Sequence, residues 1–379
     1  MRQLGSAPRR SAPRRRLWPV FVPLAFVVVL ALGWSAFWFV AAGWAETRIA
    51  GWREREANSG RFYNCEKQAV GGFPFRIEVR CVDPSIELRR NEPPVALKAS
   101  DLVVVSQIYQ PTLLISELTG PMTIAEPGQS PSYVANWTLG QSSVRGTPKA
   151  PERASIVFDQ PIVNRVGGGA QATVLKADRI ELHGRIAEGS VTGDPVIELV
   201  LRLANATAPD LHSFTRQPIE SDITAKLYGL ADFSPKPWPV RFREMQARGG
   251  KIEITRARVR QGEAVAASAG TLSLTTRGGL DGQIQVTILG LESVVKSLDL
   301  DQAMSQGKVG SAIGALDRLI PGLGQVARQN AAPGILAALR GIGRPGTLDD
   351  KPATTLPLRF NDGQILLGPF PVGRVPPLF

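Results

Sequence analysis

Two cysteines and two histidines are the residues in this 379-residue chain best suited to chemistry, and their spacing permits little of it. Cys65 and Cys81 are 16 positions apart, with no third cysteine to compete. In an oxidising compartment they would pair, closing a loop of about 15 residues worth roughly 3 kcal/mol of chain entropy. The alternative is two unpaired thiols in a core. His183 and His212 lie far from both cysteines, and no metal-ligand spacing is present, so no metal site is expected. His183, between Glu181 and Arg185, reads as a solvated or hydrogen-bonded strand residue. His212, after Pro209-Asp210, reads as a loop residue at the surface.

Other catalytic patterns are equally sparse. A nucleophilic hydrolase needs a nucleophile beside a base and an orienting group, and no Gly-x-Ser-x-Gly elbow occurs. Asp178 and Glu181 are the weakest kind of candidate carboxylate pair, since any β protein carries many. Gly167-Gly168-Gly169 lacks the Lys-Ser/Thr of a phosphate loop and reads as a turn. Arg256, Arg258 and Arg260, in "TRARVR", line one face of a strand. They are either a solvated sheet face or a stripe for an anionic ligand, because arginine pairs well with phosphate. No catalytic residue and no cofactor is expected, and the chain does not read as an enzyme. An enzyme would need a cleft that gathers titratable groups distant in sequence.

The elements that would position these residues begin with a tail and an anchor. Net charge is +11, but six arginines fall in the first sixteen residues, leaving +5 over the rest. The body is therefore only mildly basic, and no nucleic-acid motif accompanies it. Leu17 to Ala45 follows without a charged residue. About 20 apolar residues span a bilayer, so residues 17–45 read as a transmembrane helix. The arginines place residues 1–16 on the cytoplasmic side and everything after Glu46 outside. The competing reading is a signal peptide cleaved near Gly43-Trp44-Ala45, although its apolar region is about 7–15 residues, half the length seen here. Residues 46–60 read as a charged juxtamembrane helix ended by Gly60.

From Phe62 to about Leu289 apolar and polar residues alternate, the mark of antiparallel sheet with one dry face. Phe75, Ile77, Val79 and Cys81 point one way, Arg76, Glu78 and Arg80 the other. Asp83-Pro84 breaks the phase. Phe73 and Phe75 are expected to seat this first strand in the core. Ala172 to Ala187 reads as one strand of about 16 residues, against a usual strand of about 5–6. Lys251 to Thr276 reads as a long hairpin. Helix is expected at Trp238–Arg248, at Leu291–Leu300 and over Val309–Leu339, where Val309, Ile313, Leu316, Ile320 and Leu323 share a face and Pro321 and Pro333 kink or divide it. Thr355–Phe360 and Gln364–Leu367 form a closing hairpin around Asn361-Asp362-Gly363. No internal repeat is evident. The expected fold is mainly β (α+β overall). Residues 61–379 form a large curved antiparallel sheet, with a helical insert at about 291–345 packed on it.

The stretch "GGFPFRIEVRC" (71–81) resembles the Gly-[Phe/Tyr]-Pro-Phe-Arg strand near the start of the alphaproteobacterial domain of unknown function 2125. "ANWTLGQSSVRG" (135–146) and "LPLRFNDGQILLGPFPVGRVPPL" (356–378) are similar to its central and final segments. The resemblance covers about Ala45 to Phe379. It implies a periplasmic protein tethered to a bacterial inner membrane, and supplies no catalytic residues. More distantly, the anchor and long one-sided strands look like AsmA-type envelope proteins, which build lipid-accommodating β-grooves. Fold analogy does not carry function. Two functions are therefore carried forward. One is a module binding or transferring lipid or another amphiphile, with an uncovered apolar groove. The other is a structural scaffold meeting other envelope proteins, with a fully packed core.

Overall fold

The computed structural model describes residues 18–147, 150–167, 172–211, 213–232, 236–297 and 331–379. The expected helix over Val309–Leu339 lies largely outside these, as do His212, Gly168 and Gly169.

Helix α1 (Trp18–Asn58) is one continuous rod, so the expected anchor and juxtamembrane helices are a single element about 60 Å long. Gly60, at φ +80°, ends it. The chain then runs in long antiparallel legs, each broken once. The legs are β1 (Arg61–Asn64) with β2 (Lys67–Gly71), β3 (Arg76–Val82) with β4 (Ser85–Leu88), β5 (Val95–Lys98) with β6 (Asp101–Gln107), and β7 (Gln110–Thr119) with β8 (Met122–Ala125). They continue as β9 (Tyr133–Asn136) with β10 (Leu139–Thr147), β11 (Ala150–Asp159) with β12 (Ile162–Arg165), and β13 (Ala172–Lys176) with β14 (Arg179–Ser190).

The halves sort into two open sheets. The smaller has seven strands in the order β1-β4-β5-β8-β9-β12-β13. The larger holds the other halves and continues through β15 (Gly193–Ala206), β16 (Ile219–Leu227), β17 (Lys251–Gln261), β18 (Ala264–Leu274), β19 (Leu280–Leu289), β20 (Arg344–Leu348), β21 (Lys351–Asn361), β22 (Gln364–Leu367) and β23 (Phe370–Arg374), sixteen strands in all. The single large sheet expected is thus a meander folded along one crease.

The crease has a chemical basis. Legs running one way break at Asp83-Pro84, Gly120-Pro121 and Gln160-Pro161, where proline cannot donate to a ladder. Asp83 and Gln160 take positive φ there (49° and 50°), a local bend that asparagine-like and polar residues tolerate best. Legs running the other way break at Cys65-Glu66, Ala99-Ser100, Trp137-Thr138 and Ala177-Asp178. Hydrogen bonds continue across the fold, as from Asp83 N to Ser100 O (3.0 Å) and from Gln160 N to Asp178 O (2.7 Å). Small residues line it: Ala99, Ala135, Ala177 and Ala206 are buried. The break at Ala177-Asp178 divides the expected strand of Ala172 to Ala187 into β13 and β14. The prolines recur roughly 40 residues apart, so the hairpins repeat structurally where the sequence shows no repeat.

Trp137 occupies the crease. Its Nε1 donates to Leu118 O (2.8 Å) and its ring packs on Phe158 at 4.8 Å. This requires Gly140, where an added Cβ would sit 2.5 Å from the indole nitrogen and 3.0 Å from both Leu118 O and Phe158 Cε1. Gly140→Ala should lower unfolding free energy by about 1–3 kcal/mol through overpacking. Denaturant titration would read this as a lower midpoint at unchanged slope.

Buried clusters gather at the C-terminal end of the large sheet. There α3 (Leu291–Ser297) and α4 (Ala331–Ile342) bring Leu291, Val295 and Leu339 onto Ile288, Leu356 and Leu367. Pro333 falls in the first turn of α4, where its missing N–H leaves no bond unmade. Helix α2 (Trp238–Ala247) places Met245 on Ile197, Leu227 and Leu274. The hairpin of β17 and β18 and the closing hairpin of β21 and β22 form as expected. Asp362 and Gly363 both take positive φ (47° and 84°) in the latter's two-residue turn.

Candidate functional site

Register across the large sheet produces an apolar side. One row joins Val104, Ser116, Ser142, Ile156, Leu182 and Leu201 as direct cross-strand partners. The next joins Leu114, Val144, Ala154, Gly184 and Leu199. A third joins Leu102, Leu118, Gly140, Phe158, Ile180 and Leu203. None of these residues is charged, and every one in β6, β7, β10, β11 and β14 except Gly140, which lies buried under Trp137, is at least partly exposed. Ile156 and Leu182, directly paired, are each 43% exposed. The buried clusters on α2, α3 and α4 cover the later strands. Among the described residues no buried cluster lies on the earlier ones, and only the third row is partly covered, by Trp137 on Phe158 and Gly140. An apolar surface of this extent, rimmed by polar residues, is a mark of an interaction site.

The opposite side is an ion-pair lattice. Arg179 meets Asp159 and Glu181 at 2.6 and 2.5 Å, Arg185 meets Glu198 at 2.6 Å, and Arg202 meets Asp222 at 3.5 Å. The three stripe arginines are likewise compensated: Arg256 by Asp222 (3.3 Å), Arg258 by Asp349 (2.5 Å) and Arg260 by Glu220 (2.5 Å). Arg258 and Arg260 edge a recess of about 440 Å³ whose wall alternates guanidinium and carboxylate, Arg179, Glu181, Arg202 and Asp222 included. An anion entering it would displace an existing partner from each arginine.

Hydrogen bonds from His183 and Arg179 hold the Glu181 carboxyl below its ordinary range, and one from Arg185 does the same for Glu198. A depressed folded-state value means stability that is present above the unfolded carboxylate range, about pH 4.3, and lost as pH falls through the folded value. Unfolding midpoints should therefore stay level from pH 7 to about 5 and fall below about 4. Glu181→Gln should blunt that fall. An unchanged acid limb in the variant would show the pair to be energetically idle, as many exposed pairs are.

One arrangement invites a catalytic reading. His183 Nδ1 lies 2.9 Å from Ser155 Oγ and His183 Nε2 lies 3.0 Å from Glu181 Oε2. This is a hydroxyl, a base and an orienting carboxylate in line. Acyl transfer also needs N–H donors aimed at the developing oxyanion. Ser155 sits mid-strand, paired on both sides to Ser143 and His183, so the surrounding N–H groups belong to the ladder. The line joins β11 to β14 across the sheet face, and the ladder occupies the backbone N–H groups around Ser155. Ser155 was invisible as a partner because it is 28 residues from His183.

At its other end the large sheet meets α1. Cys65 and Cys81 are bonded, with Cα atoms 5.4 Å apart. The bond ties β1 and β2 to β3 at the crease, and Trp52 packs on Tyr63 at 4.6 Å beside it. Strand β2 then runs back along the helix to the turn Gly72-Phe73-Pro74-Phe75. Trp34 Nε1 donates to Pro74 O (2.8 Å) and Trp38 Nε1 to Arg76 O (2.9 Å). Phe73 packs edge-on to Trp38 at 5.6 Å, and Phe75 lies 6.1 Å from Trp34. The expectation that Phe73 and Phe75 seat the strand in the core is overturned: they are 52% and 63% exposed. The alternation begins at Arg76, and the aromatics belong to a turn at the sheet's edge, beyond any layer that covers it. No signal marked Trp34 and Trp38 as their partners, because tryptophan in an apolar helix reads simply as an interfacial residue.

The helix itself is long and apolar enough to cross a membrane over Phe21–Asn58. Among the described residues no group of three His, Cys, Asp or Glu is placed to hold a metal. The family described as "Uncharacterized protein conserved in bacteria (DUF2125)" matches residues 38–376. No curated protein and no solved structure matches the chain, so the more distant likeness to AsmA-type proteins gains nothing from these comparisons.

Proposed function

The chain belongs to this family, the bacterial domain of unknown function 2125, and on that premise we propose that it is a membrane-anchored envelope protein that holds acyl chains of lipid, or of a similar amphiphile, on the apolar side of its large sheet. The observation that carries the reading is the pairing of two features. Rows of uncharged, partly exposed side chains cross β6 to β15, and the same sheet is docked by its first hairpin on an apolar helix. A surface continuous with a bilayer-length helix has lipid as its nearest apolar partner.

The arginine-rich tail favours a cytoplasmic N-terminus. The disulfide favours an oxidising compartment for the sheets, which in a bacterium is the periplasm. The reading is non-enzymatic: the role is to bind or pass on lipid in envelope maintenance. It is tested by native mass spectrometry of the full chain, extracted gently from membranes. Lipid retained at a fixed ratio after the detergent shell is stripped supports it. A lipid-free, fully folded chain would favour instead a scaffold that meets other envelope proteins.

A further inference from the structure

We propose that the hairpin ends beside α1 are a second membrane contact: the turn Gly72-Phe73-Pro74-Phe75 and the neighbouring Tyr109 insert among the acyl chains of the outward-facing leaflet. This rests on α1 crossing a bilayer and is independent of whether lipid is carried on the sheet.

Depth along the helix comes first. The charge-free stretch from Leu17 to Ala45 is about 43 Å long at about 1.5 Å per residue. That equals a hydrocarbon core plus both headgroup layers, about 40–45 Å. Glu46, the first charge beyond it, therefore sits at the water edge of the headgroups. Trp34 lies twelve residues earlier, about 18 Å deeper, and the headgroup layer is only about 6 Å thick. A turn bonded to Trp34 and Trp38 is at acyl-chain level.

The turn's chemistry suits that depth. Backbone polar groups in hydrocarbon must be satisfied internally. Here Gly72 O accepts from Arg76 N (3.2 Å), Pro74 O from Trp34, Phe75 O from Ile108 N (3.1 Å) and Arg76 O from Trp38. Proline at position 74 brings no N–H to satisfy. Gly72 holds φ +97°, and a Cβ there would meet Arg76 O at 2.8 Å. The charges nearest the turn, Arg76 and Glu78, are paired with each other (2.9 Å), and Arg76 reaches for its partner two residues nearer the water, as long cationic side chains do at an interface. What the turn leaves outward is Phe73, Phe75 and, on the adjoining β6–β7 turn, Tyr109 at 74% exposure. Phenylalanine is favourable among the chains, and tyrosine at their boundary with the headgroups.

The test uses the full chain, whose two native cysteines are bonded to each other, in phosphatidylcholine vesicles. Phe75→Cys and Tyr109→Cys each receive an environment-sensitive fluorophore. Val29→Cys within α1 is the lipid reference, and Gln141→Cys on the charged sheet side is the water reference. Blue-shifted emission at 75 and 109, with intensity lost to doxyl-labelled lipid and retained against iodide, is the expected result. The Tyr109 site keeps the test sound if a label at 75 disturbs Trp34. Iodide quenching at both sites, with position 29 still quenched by lipid, would overturn the insertion and leave the anchor standing.

Discussion

Ile156→Asp and Leu182→Asp together should strip the purified chain of retained acyl lipid while leaving it folded. Each side chain is already 43% exposed and belongs to no buried cluster. Their replacement opens no cavity, and the stability change should be within about 1 kcal/mol, apart from like-charge repulsion across the pair. The effect on lipid is larger. Every methylene in contact contributes about 0.8 kcal/mol, and a carboxylate pressed against acyl chain costs several kcal/mol unless it finds a partner. Retention should fall by more than tenfold, since about 1.4 kcal/mol suffices for that factor. Equal lipid in the double variant, measured by extraction against protein mass, would place any bound lipid elsewhere than on these rows.

Cys65→Ser with Cys81→Ser should cost about 3 kcal/mol, the chain entropy of a loop of about 15 residues. The loss should be local. Strand β2 pairs only with β3, and β1 only with β4, so each is the edge of its sheet. The bond crosses the crease where both edges meet α1. Without it, amide hydrogens of residues 61–71 should exchange much faster, while those of β15 to β19, deep in the large sheet, keep their protection. Uniform loss of protection would instead make the bridge a global staple. No change at all would show that packing on α1, through Trp52 and Tyr63, already holds the edge.

Much of this architecture was legible in the residues because side-chain direction in a strand has period two. Alternation located β3, β14, β15 and β19, the Asn361-Asp362-Gly363 turn located the last hairpin, and a lone cysteine pair pointed to the bridge while leaving two unpaired thiols as the alternative. The crease was harder. Its signal is a proline in every second leg, and only Asp83-Pro84 interrupts a phase clean enough to read. In the other legs the break is Cys-Glu, Ala-Ser, Trp-Thr or Ala-Asp, which carry no turn signal, so residues 172–187 read through. Partners distant in sequence were also hidden. Arg258 meets Asp349 across 91 positions, so the compensation of the arginine stripe could not be read from its own strand. The candidate site shows the deeper reason for such gaps. Alternation reveals which side of a strand is dry, and says nothing of whether protein or lipid lies against it. Phe73 and Phe75 looked like core for that reason, and lie instead on the outside of a helix-docked turn.

Photo-crosslinking in intact membranes tests the central claim most directly. A benzophenone side chain is placed at position 182 on the apolar side and, separately, at position 141 on the charged side of the same sheet. Irradiation should attach lipid to the chain at 182 and not at 141, and the mass of the adduct would identify the lipid. A crosslink from 182 to another part of this chain, or to protein in place of lipid, would contradict an open lipid-holding surface.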